Sequence, residues 1–272
     1  MDNRPIGVFD SGLGGLTVVR ELLDMLPNER IVYLGDTGRV PYGSRSRPTI
    51  LKYARQDIDF LTKFDLKAIM VACGTVSTTV LDLVQAEYDL PILGVAEAAS
   101  KAAASMTHNR KIGLIGTHAS IHSGTYERMI RKENPDAQIY SVPCPLFVPL
   151  VESGHYAKGD PLVELTVKEY LTDLKTIGID TLILGCTHYP LLTDAIDDFL
   201  EGRVTLISTG VHGALHLKKT LTERNALAAP CPGRVADCHY YVTDSTDQFS
   251  RLAGIFLGRP VKGFVEQVAI DE

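Results

Sequence analysis

The stretch PIGVFDSGLGGLTVV (residues 5–19) decides the fold class, because an apolar strand pattern changes there to a glycine-rich loop and then to a helical pattern. Its first five residues are almost all apolar, which is typical of a parallel strand buried on both faces of a sheet. The glycines at positions 12, 14 and 15 allow close approach of a ligand, and they also suit a tight turn. The third glycine of a dinucleotide-binding GxGxxG loop is missing, because Thr17 stands in its place.

The same succession of strand, loop and helix continues along the chain. Amphipathic segments separate the apolar runs, so we predict an α/β fold with right-handed crossovers and mostly parallel sheets. A strand-like YYV (240–242) and two more helices are predicted in the tail. The further predicted strands are RIVYLG (30–35), AIMVA (68–72), PILGV (91–95), KIGLIG (111–116), TLILG (181–185) and RVTLI (203–207).

A weak internal duplication divides the chain into two related halves. IGVF (6–9) has a counterpart in IGLI (112–115), and MVACGT (70–75) has one in ILGCTH (183–188). Two matching pairs in the same order predict two pseudo-symmetric, doubly wound units with an interdomain cleft. Because the tail can return to the first unit, we expect one domain of residues 1–97 plus 209–272 and a second of residues 98–208.

Composition excludes several classes of protein. The 272 residues are 45% hydrophobic and 22% charged, which is not the composition of a disordered chain. Lys and Arg number 27 against 33 Asp and Glu, and this net charge of −6 makes a nucleic-acid partner a poor candidate. No window approaches the ~18 consecutive apolar residues of a membrane span, and no signal peptide is recognisable. We therefore expect a cytoplasmic protein without a membrane partner.

The five cysteines, at positions 73, 144, 186, 231 and 238, form no CxxC pair. Neither a disulfide framework nor a structural zinc site is predicted, so no metal ligands are assigned. Cys73 and Cys186 each follow a predicted strand and precede a predicted helix, where a thiol can become reactive. A cysteine in that place can also be a small buried hydrophobe, but two at matching positions of a duplication favour chemistry. Cys144, Cys231 and Cys238 lack this context.

Polar residues follow the first two predicted strands. Asp10 and Ser11 end the first strand, and a carboxylate there can hold an ammonium group or act on a proton. The loop GDTGRVPYGSRSR (35–47) follows the second strand and has the length and composition of a functional loop. Asp36, Tyr42 and the backbone N–H of Gly43 can contact a ligand from this loop.

His188 stands two residues after Cys186 and can share a proton with it. A lone histidine is more often a packed or surface residue, but the neighbouring cysteine favours a chemical role. Glu152, in PLVESG, carries no distinguishing signal of its own. Thr75, Thr187 and backbone N–H groups are plausible donors to a carboxylate.

Taken together, the motifs resemble those of the glutamate racemases of the aspartate/glutamate racemase superfamily. The resemblance implies an enzyme that moves a proton between the two faces of one carbon without a cofactor. In that family the D-glutamate product feeds peptidoglycan synthesis. The matching segments are GVFDSGLGGLTV (7–18), GDTGRVPYG (35–43), ACGTVS (72–77), PLFVPLVESG (145–154), LGCTHYPLL (184–192) and YYVTDSTDQFSRLAGIFLG (240–258).

The resemblance also assigns roles to residues. It implies that Cys73 and Cys186 are the two catalytic thiols, the first serving D-glutamate and the second L-glutamate. It adds Asp10, Asp36, Glu152 and His188 as assisting catalytic groups. Its substrate contacts fall on Asp10, Ser11, Tyr42, Gly43, Gly74, Thr75, Thr187 and His188.

Two positions depart from the family pattern, since Ser208 stands where the family usually has an acidic residue and Gly74 stands where it usually has Asn. An Asn there is expected to tighten glutamate binding or to leave it unchanged, provided that the loop has room for the side chain.

The chemistry is consistent with these residue types. An ordinary cysteine has a pKa of about 8.5, so one thiolate and one thiol on opposite sides of a carbon can exchange roles as base and acid. Two alternatives stay open, namely a racemase of another acidic amino acid such as aspartate and a non-catalytic amino-acid-binding regulator. A binder needs no second thiol. The expected partner is a small-molecule substrate, and a homodimer is one candidate for the oligomeric state.

Overall fold

The computed structural model describes residues 1–230 and 238–270, and strands alternate with helices over almost all of them. The strands are β1 (Ile6–Asp10), β2 (Ile31–Gly35), β3 (Ala68–Val71), β4 (Ile92–Gly94), β5 (Lys111–Gly116), β6 (Gln138–Pro143), β7 (Thr181–Leu184), β8 (Thr205–Ser208), β9 (Cys238–Val242) and β10 (Val265–Gln267). The α-helices are α1 (Leu16–Met25), α2 (Arg47–Leu61), α3 (Gly74–Thr79), α4 (Leu81–Gln85), α5 (Val95–Met106), α6 (His118–His122), α7 (Thr125–Glu133), α8 (Phe147–Glu152), α9 (Pro161–Ile177), α10 (Thr193–Phe199), α11 (Thr209–Glu223) and α12 (Thr246–Leu257).

The strands form two parallel sheets. The first has the order β10-β9-β2-β1-β3-β4 and the second the order β6-β5-β7-β8. β1 pairs with β2 and β3 just as β5 pairs with β6 and β7, and all of these pairs are parallel. Four strands in one order therefore recur in both sheets, which confirms the predicted α/β fold with two pseudo-symmetric units. We call the part built on the first sheet the first unit and the part built on the second sheet the second unit.

Burial explains why the sequence pattern located most strands. Every residue of β1, β2 and β3 is buried, as are all residues of β7, because helices cover both faces of each sheet. Two strands escaped the prediction. β6 contains Gln138, Ser141 and Pro143 and is only half-buried at the edge of its sheet, and β10 is a three-residue edge strand. Neither shows a continuous apolar run.

We propose that the two units divide as the sequence suggests, at residues 97–98 and 208–209. Helix α5 packs on α7, β7 and β8 of the second unit, which supports a boundary near its start. Helix α11 packs on α1 of the first unit and on α5. The strands β9 and β10 from the tail join the first sheet beside β2, which supports the return of the tail to the first unit.

The residues that follow β1, β2 and β3 meet at one edge of the first sheet, because the carboxyl ends of parallel strands share an edge. The residues after β5 and β7 do the same in the second sheet. These two edges bound a cleft between the units. Among the described residues, no helix is both long and apolar enough to span a bilayer.

Candidate active site

A cavity of about 350 Å³ lies in the cleft between the units. Its volume is within the range of small-molecule sites. Residues from both units line it: Ser11, Gly12, Val40, Pro41, Tyr42, Gly43, Ser44, Cys73, Gly74 and Thr75 from the first, and Thr117, His118, Cys144, Pro145, Val148, Pro149, Glu152, Gly185, Cys186, Thr187 and His188 from the second.

A larger cavity of about 690 Å³ is lined by residues of α3, α4 and α7, the last of which contributes Arg128. Arg45 and Arg47 also line this cavity. It holds neither Cys73 nor Cys186. Volume alone therefore does not identify the candidate site, whereas the convergence of predicted residues does. Within the described ranges, no three His, Cys, Asp or Glu side chains are grouped so that they could hold a metal ion.

Cys73 caps the start of α3 at the end of β3, where the apolar strand AIMV gives way to small residues. The residue is only 3% exposed, and its thiol donates to Ser11 Oγ over 3.5 Å. Burial, followed by the charge of Asp10, raises the pKa of the Cys73 thiol to about 12. At neutral pH this thiol is therefore protonated and able to give a proton.

Cys186 follows β7 at the matching place in the second unit and is also buried. Its Sγ lies 3.9 Å from Nδ1 of His188, and Nε2 of that ring lies 2.9 Å from Oε1 of Glu152. Burial by itself lowers the pKa of His188, but the hydrogen bonds with Cys186 and Glu152 outweigh it and raise that pKa to about 10. A protonated imidazole donates from both nitrogens, so it bridges the sulfur and the carboxylate.

Asp10 lies beneath the cavity rather than in its lining. Its side chain is fully buried, and Oδ2 accepts a hydrogen bond of 3.0 Å from the Gly12 backbone N–H. Oδ1 is buried without a hydrogen-bond partner in the described part of the chain. Burial raises the pKa of Asp10, and the charge of His188 opposes that effect. Asp10 thus acts on the site through the loop at residues 11–15 and through its charge near Cys73.

Asp36 is also set back from the cavity, in a buried cluster with Arg39, Tyr42 and Asp57. Arg39 donates to Asp36 Oδ2 over 2.7 Å and to Asp57 Oδ1 over 2.9 Å. The Tyr42 hydroxyl contacts Asp36 and lies 2.9 Å from Asp57 Oδ2. Burial, and then the charge of Asp36, raises the pKa of Asp57 well above its ordinary value. The single proton of the Tyr42 hydroxyl cannot serve both of these contacts. A protonated Asp57 supplies the second proton.

The cluster explains how the loop after β2 reaches the cavity. Because the Tyr42 hydroxyl is engaged with the two carboxylates, Tyr42 presents its ring to the site rather than a free donor. Thr243 is the residue after β9. Its hydroxyl donates to Asp36 Oδ1 over 2.8 Å and so connects the cluster to the neighbouring strand. The loop is therefore anchored from below, and Gly43 is held against the cavity.

The structure brings most of the sequence-predicted residues together. Ser11, Tyr42, Gly43, Gly74, Thr75, Thr187, His188 and Glu152 all line the cavity with the two cysteines. Across the cleft, the Thr75 and Thr117 hydroxyls lie 3.1 Å apart, and Thr17 donates to the Thr187 carbonyl over 3.0 Å. Hydroxyls from both units therefore stand where a bound carboxylate would find donors.

Several residues of the site were not found from the sequence. Thr117 follows β5 directly and was detectable by the same strand-end rule that identified Cys73. Cys144, for which no role was expected, lines the cavity, while Cys238 lies in β9 and Cys231 lies outside the described residues. Asp57 gave no local signal, whereas Arg39 lies in the loop at residues 35–47 that the sequence singled out.

Comparisons with known proteins identify the family of the chain. Residues 18–216 match the family model described as Asp/Glu/Hydantoin racemase. The chain is 42% identical to a glutamate racemase from Persephonella marina over 94% of each chain. The crystal structure of glutamate racemase from Francisella tularensis in complex with D-glutamate is 39% identical, with a TM-score of 0.90 over 100% of this chain and 99% of that one. The RacE1 isoform of Bacillus anthracis is 36% identical, with a TM-score of 0.92 over 99% and 98%. The chain therefore belongs to the Asp/Glu/hydantoin racemase family and is an amino-acid racemase.

Proposed function

We propose that this protein interconverts L- and D-glutamate by a cofactor-independent 1,1-proton transfer between Cys73 and Cys186. The observation that carries the proposal is the placement of the two cysteines. They come from matching strand–helix junctions of the two units and line one cavity. A substrate carbon held between them would meet one sulfur on each face.

The reaction needs one thiolate and one thiol. The thiolate removes the α-proton, the electron pair stays on the α-carbon, and the opposite thiol gives its proton to the other face. The protein then holds the two cysteines in exchanged protonation states. Positioned acid–base groups of this kind contribute about 10²–10⁴-fold to rates.

The surroundings of the thiols support a starting state for this exchange. Cys73 is a protonated thiol beside Ser11, and its pKa is raised. Cys186 faces His188, whose protonated ring can donate to the sulfur and to Glu152. Cys186 is thus suited to act first as base and Cys73 as acid. By the family assignment, this state accepts L-glutamate.

Substrate binding is assigned to groups at the cavity wall. The Thr75, Thr117 and Thr187 side chains and nearby backbone N–H groups can bind carboxylates. Ser11 and the loop held by Asp10 border the Cys73 side of the cavity, and the ammonium group of the substrate is assigned to this side. Closure of the cleft excludes water, which strengthens these polar contacts with a developing carbanion.

Glutamate is favoured over aspartate as the substrate because the relatives at about 40% identity over nearly the whole chain are glutamate racemases. A non-catalytic binder is disfavoured because it has no use for a second thiol. The proposed purpose, supply of D-glutamate for peptidoglycan in the cytoplasm, rests on the resemblance to the family.

The test uses purified protein dialysed against chelator and free of pyridoxal phosphate. Circular dichroism of L-glutamate and of D-glutamate should decay to zero in both cases, and aspartate should react far more slowly. The Cys73→Ser/Cys186→Ser double variant is the matched control for contaminating activity. Activity that appears only after a metal or pyridoxal phosphate is added would refute the proposed chemistry, and faster turnover of aspartate would refute the substrate.

A further inference from the structure

Three glycines of the first unit meet the second unit around the cavity. Gly14 follows β1, Gly43 follows β2 and Gly74 follows β3, so each stands beyond a different strand of the first sheet. Opposite them stand residues that follow strands of the second sheet: Thr187 and His188 face Gly14, Thr117 faces Gly43, and Gly185 faces Gly74.

At these points the two units approach so closely that a side chain could be added only if a neighbour moved. A Cβ at Gly74 would lie 2.6 Å from the Gly185 carbonyl oxygen and 3.8 Å from the Cys186 Cα. A Cβ at Gly43 would lie 2.8 Å from the Thr117 Cβ, and one at Gly14 would lie 2.5 Å from His188 Nδ1. Cβ atoms essentially never come within 3.0 Å of such neighbours, so a side chain here would push the units apart.

Backbone conformation does not account for these glycines. None of the three has a positive φ, so an L-residue could adopt the same backbone angles. What excludes a side chain is the surface of the opposite unit. This also answers the question of room at position 74, because an Asn there would have to displace the Gly185 backbone.

We infer that Gly14, Gly43 and Gly74 set the closest approach of the two units and thereby the gap between the Cys73 and Cys186 sulfurs. They are positioning residues, which act through the spacing of the thiols without touching the reacting atoms through a side chain. This inference rests on the proposed function for its catalytic consequence only. Its structural consequence, the shielding of both thiols in the closed cleft, does not depend on the substrate.

The chain provides a matched control. A Cβ at Gly7 would lie 2.6 Å from Leu66 Cδ1, which is the flexible end of a side chain, and both residues belong to the first unit. Gly7→Ala therefore disturbs packing without separating the units. Cys238 is an internal reporter, because it is 1% exposed in β9 and away from the cavity.

The first measurement is alkylation of individual cysteines by iodoacetamide, followed by peptide mass spectrometry. Gly74→Ala and Gly43→Ala should each increase the alkylation rates of Cys73 and Cys186 several-fold and leave that of Cys238 unchanged. In Gly7→Ala, the ratios among the alkylation rates of Cys73, Cys186 and Cys238 should be the same as in the wild type. Thr117→Gly added to Gly43→Ala should restore protection, because it removes the atoms that the new methyl group meets and glycine is accepted at a helix N-cap.

The second measurement is racemisation. A displacement of ~1 Å at reacting groups can cost about 100-fold, so Gly74→Ala should lower kcat by about that factor with a much smaller change in KM. Gly7→Ala should keep wild-type kcat in the folded fraction. A wild-type protein that fails to racemise glutamate, but shows the expected alkylation pattern, would refute the proposed function and leave the inference standing.

Two results would overturn the inference. One is that Gly74→Ala and Gly43→Ala protect Cys73 and Cys186 as well as the wild type does. The other is that all three cysteines, including Cys238, react faster in step, which would mean general loosening of the fold rather than opening of the cleft.

Discussion

Cys73 and Cys186 occupy matching positions in the two units, but they have different neighbours. On the first side stand the Ser11 hydroxyl and the buried carboxyl of Asp10. On the second side stands an imidazole that is hydrogen-bonded to a carboxylate, His188 with Glu152. The repeated fold has thus placed two thiols at the wall of one cavity, and the local side chains give them different surroundings.

In the proposed mechanism, this difference gives the reaction a defined resting state. Burial, and then the charge of Asp10, raises the pKa of the Cys73 thiol, whereas His188, whose pKa is raised, offers a proton donor to the Cys186 sulfur. Because L- and D-glutamate have equal free energies, kcat/KM must nevertheless be equal in the two directions. The asymmetry of the site can therefore be seen in single proton-transfer steps but not in the ratio of overall rates.

The largest effect is expected when either thiol is replaced. Cys73→Ser and Cys186→Ser should each lower racemisation by roughly 10³-fold or more, because a hydroxyl is too weak an acid to replace a positioned acid–base group. The measurement is loss of circular dichroism of glutamate. Cys238→Ser is the control and should keep activity. A single cysteine variant with wild-type racemisation would show that its thiol is structural.

Removing the imidazole should have the next largest effect. It should slow the proton-transfer step at Cys186 and leave the step at Cys73 unaffected. His188→Asn should lower kcat/KM by about 10²-fold in both directions, since it removes one acid–base partner. The primary isotope effect should rise with α-deuterated L-glutamate, because proton removal by Cys186 becomes rate-limiting. It should fall with α-deuterated D-glutamate, whose deuteron is removed by Cys73. Equal isotope effects for the two enantiomers would contradict the asymmetric site.

Glu152→Gln should shift a pH dependence without abolishing activity. The folded pKa of His188, about 10, is above its ordinary value of 6.5, so protonation contributes stability and activity that are fully present below pH 6.5. Both contributions decline as the pH rises through about 10. Without the carboxylate, the alkaline decline of kcat should move to lower pH.

The control for that shift is Asp160→Asn, which neutralises a second histidine–carboxylate pair, His155 with Asp160, outside the cavity. Asn also keeps the cap of α9. This variant should keep the wild-type pH profile. An unchanged profile in Glu152→Gln would mean that Glu152 does not support the protonation of His188.

The smallest effect on catalysis is expected from the buried cluster under the loop after β2. Tyr42→Phe removes a hydroxyl that contacts two buried carboxyl groups and should lower the free energy of unfolding by about 1–3 kcal/mol. The cluster supports the loop after β2 and does not act on one thiol more than on the other. The isotope effects measured with the two enantiomers should therefore change equally. Urea denaturation measures the loss, with Tyr53→Phe as control. A stability equal to wild type would show that the hydroxyl contacts contribute nothing.

Sequence patterns predicted the parts of the molecule that depend on local order. The continuous apolar runs located β1, β2, β3 and β7, and the repeated strand–cysteine pattern placed both thiols in one cavity. Edge strands such as β6 were missed because half-exposed residues break the apolar run.

Features that depend on distant contacts could not be predicted in this way. Asp57 lies in the amphipathic helix α2 and takes its meaning from Arg39 and Tyr42 in the preceding loop. In the sequence alone, Gly14 suggests a turn or ligand approach and Gly43 suggests a ligand contact, whereas their constraint comes from the opposite unit. Glu152 had no signal of its own, because its partner His188 is 36 residues away along the chain.

The most direct test of the account uses a glutamate analogue with a leaving group on the β-carbon, which eliminates once the α-proton is removed. Cys186→Ser retains Cys73 and should eliminate from the D-analogue, whereas Cys73→Ser retains Cys186 and should eliminate from the L-analogue. This crossed preference is the result expected if one thiol stands on each face of the substrate. If both variants treat the two enantiomers alike, the facing two-thiol mechanism is wrong.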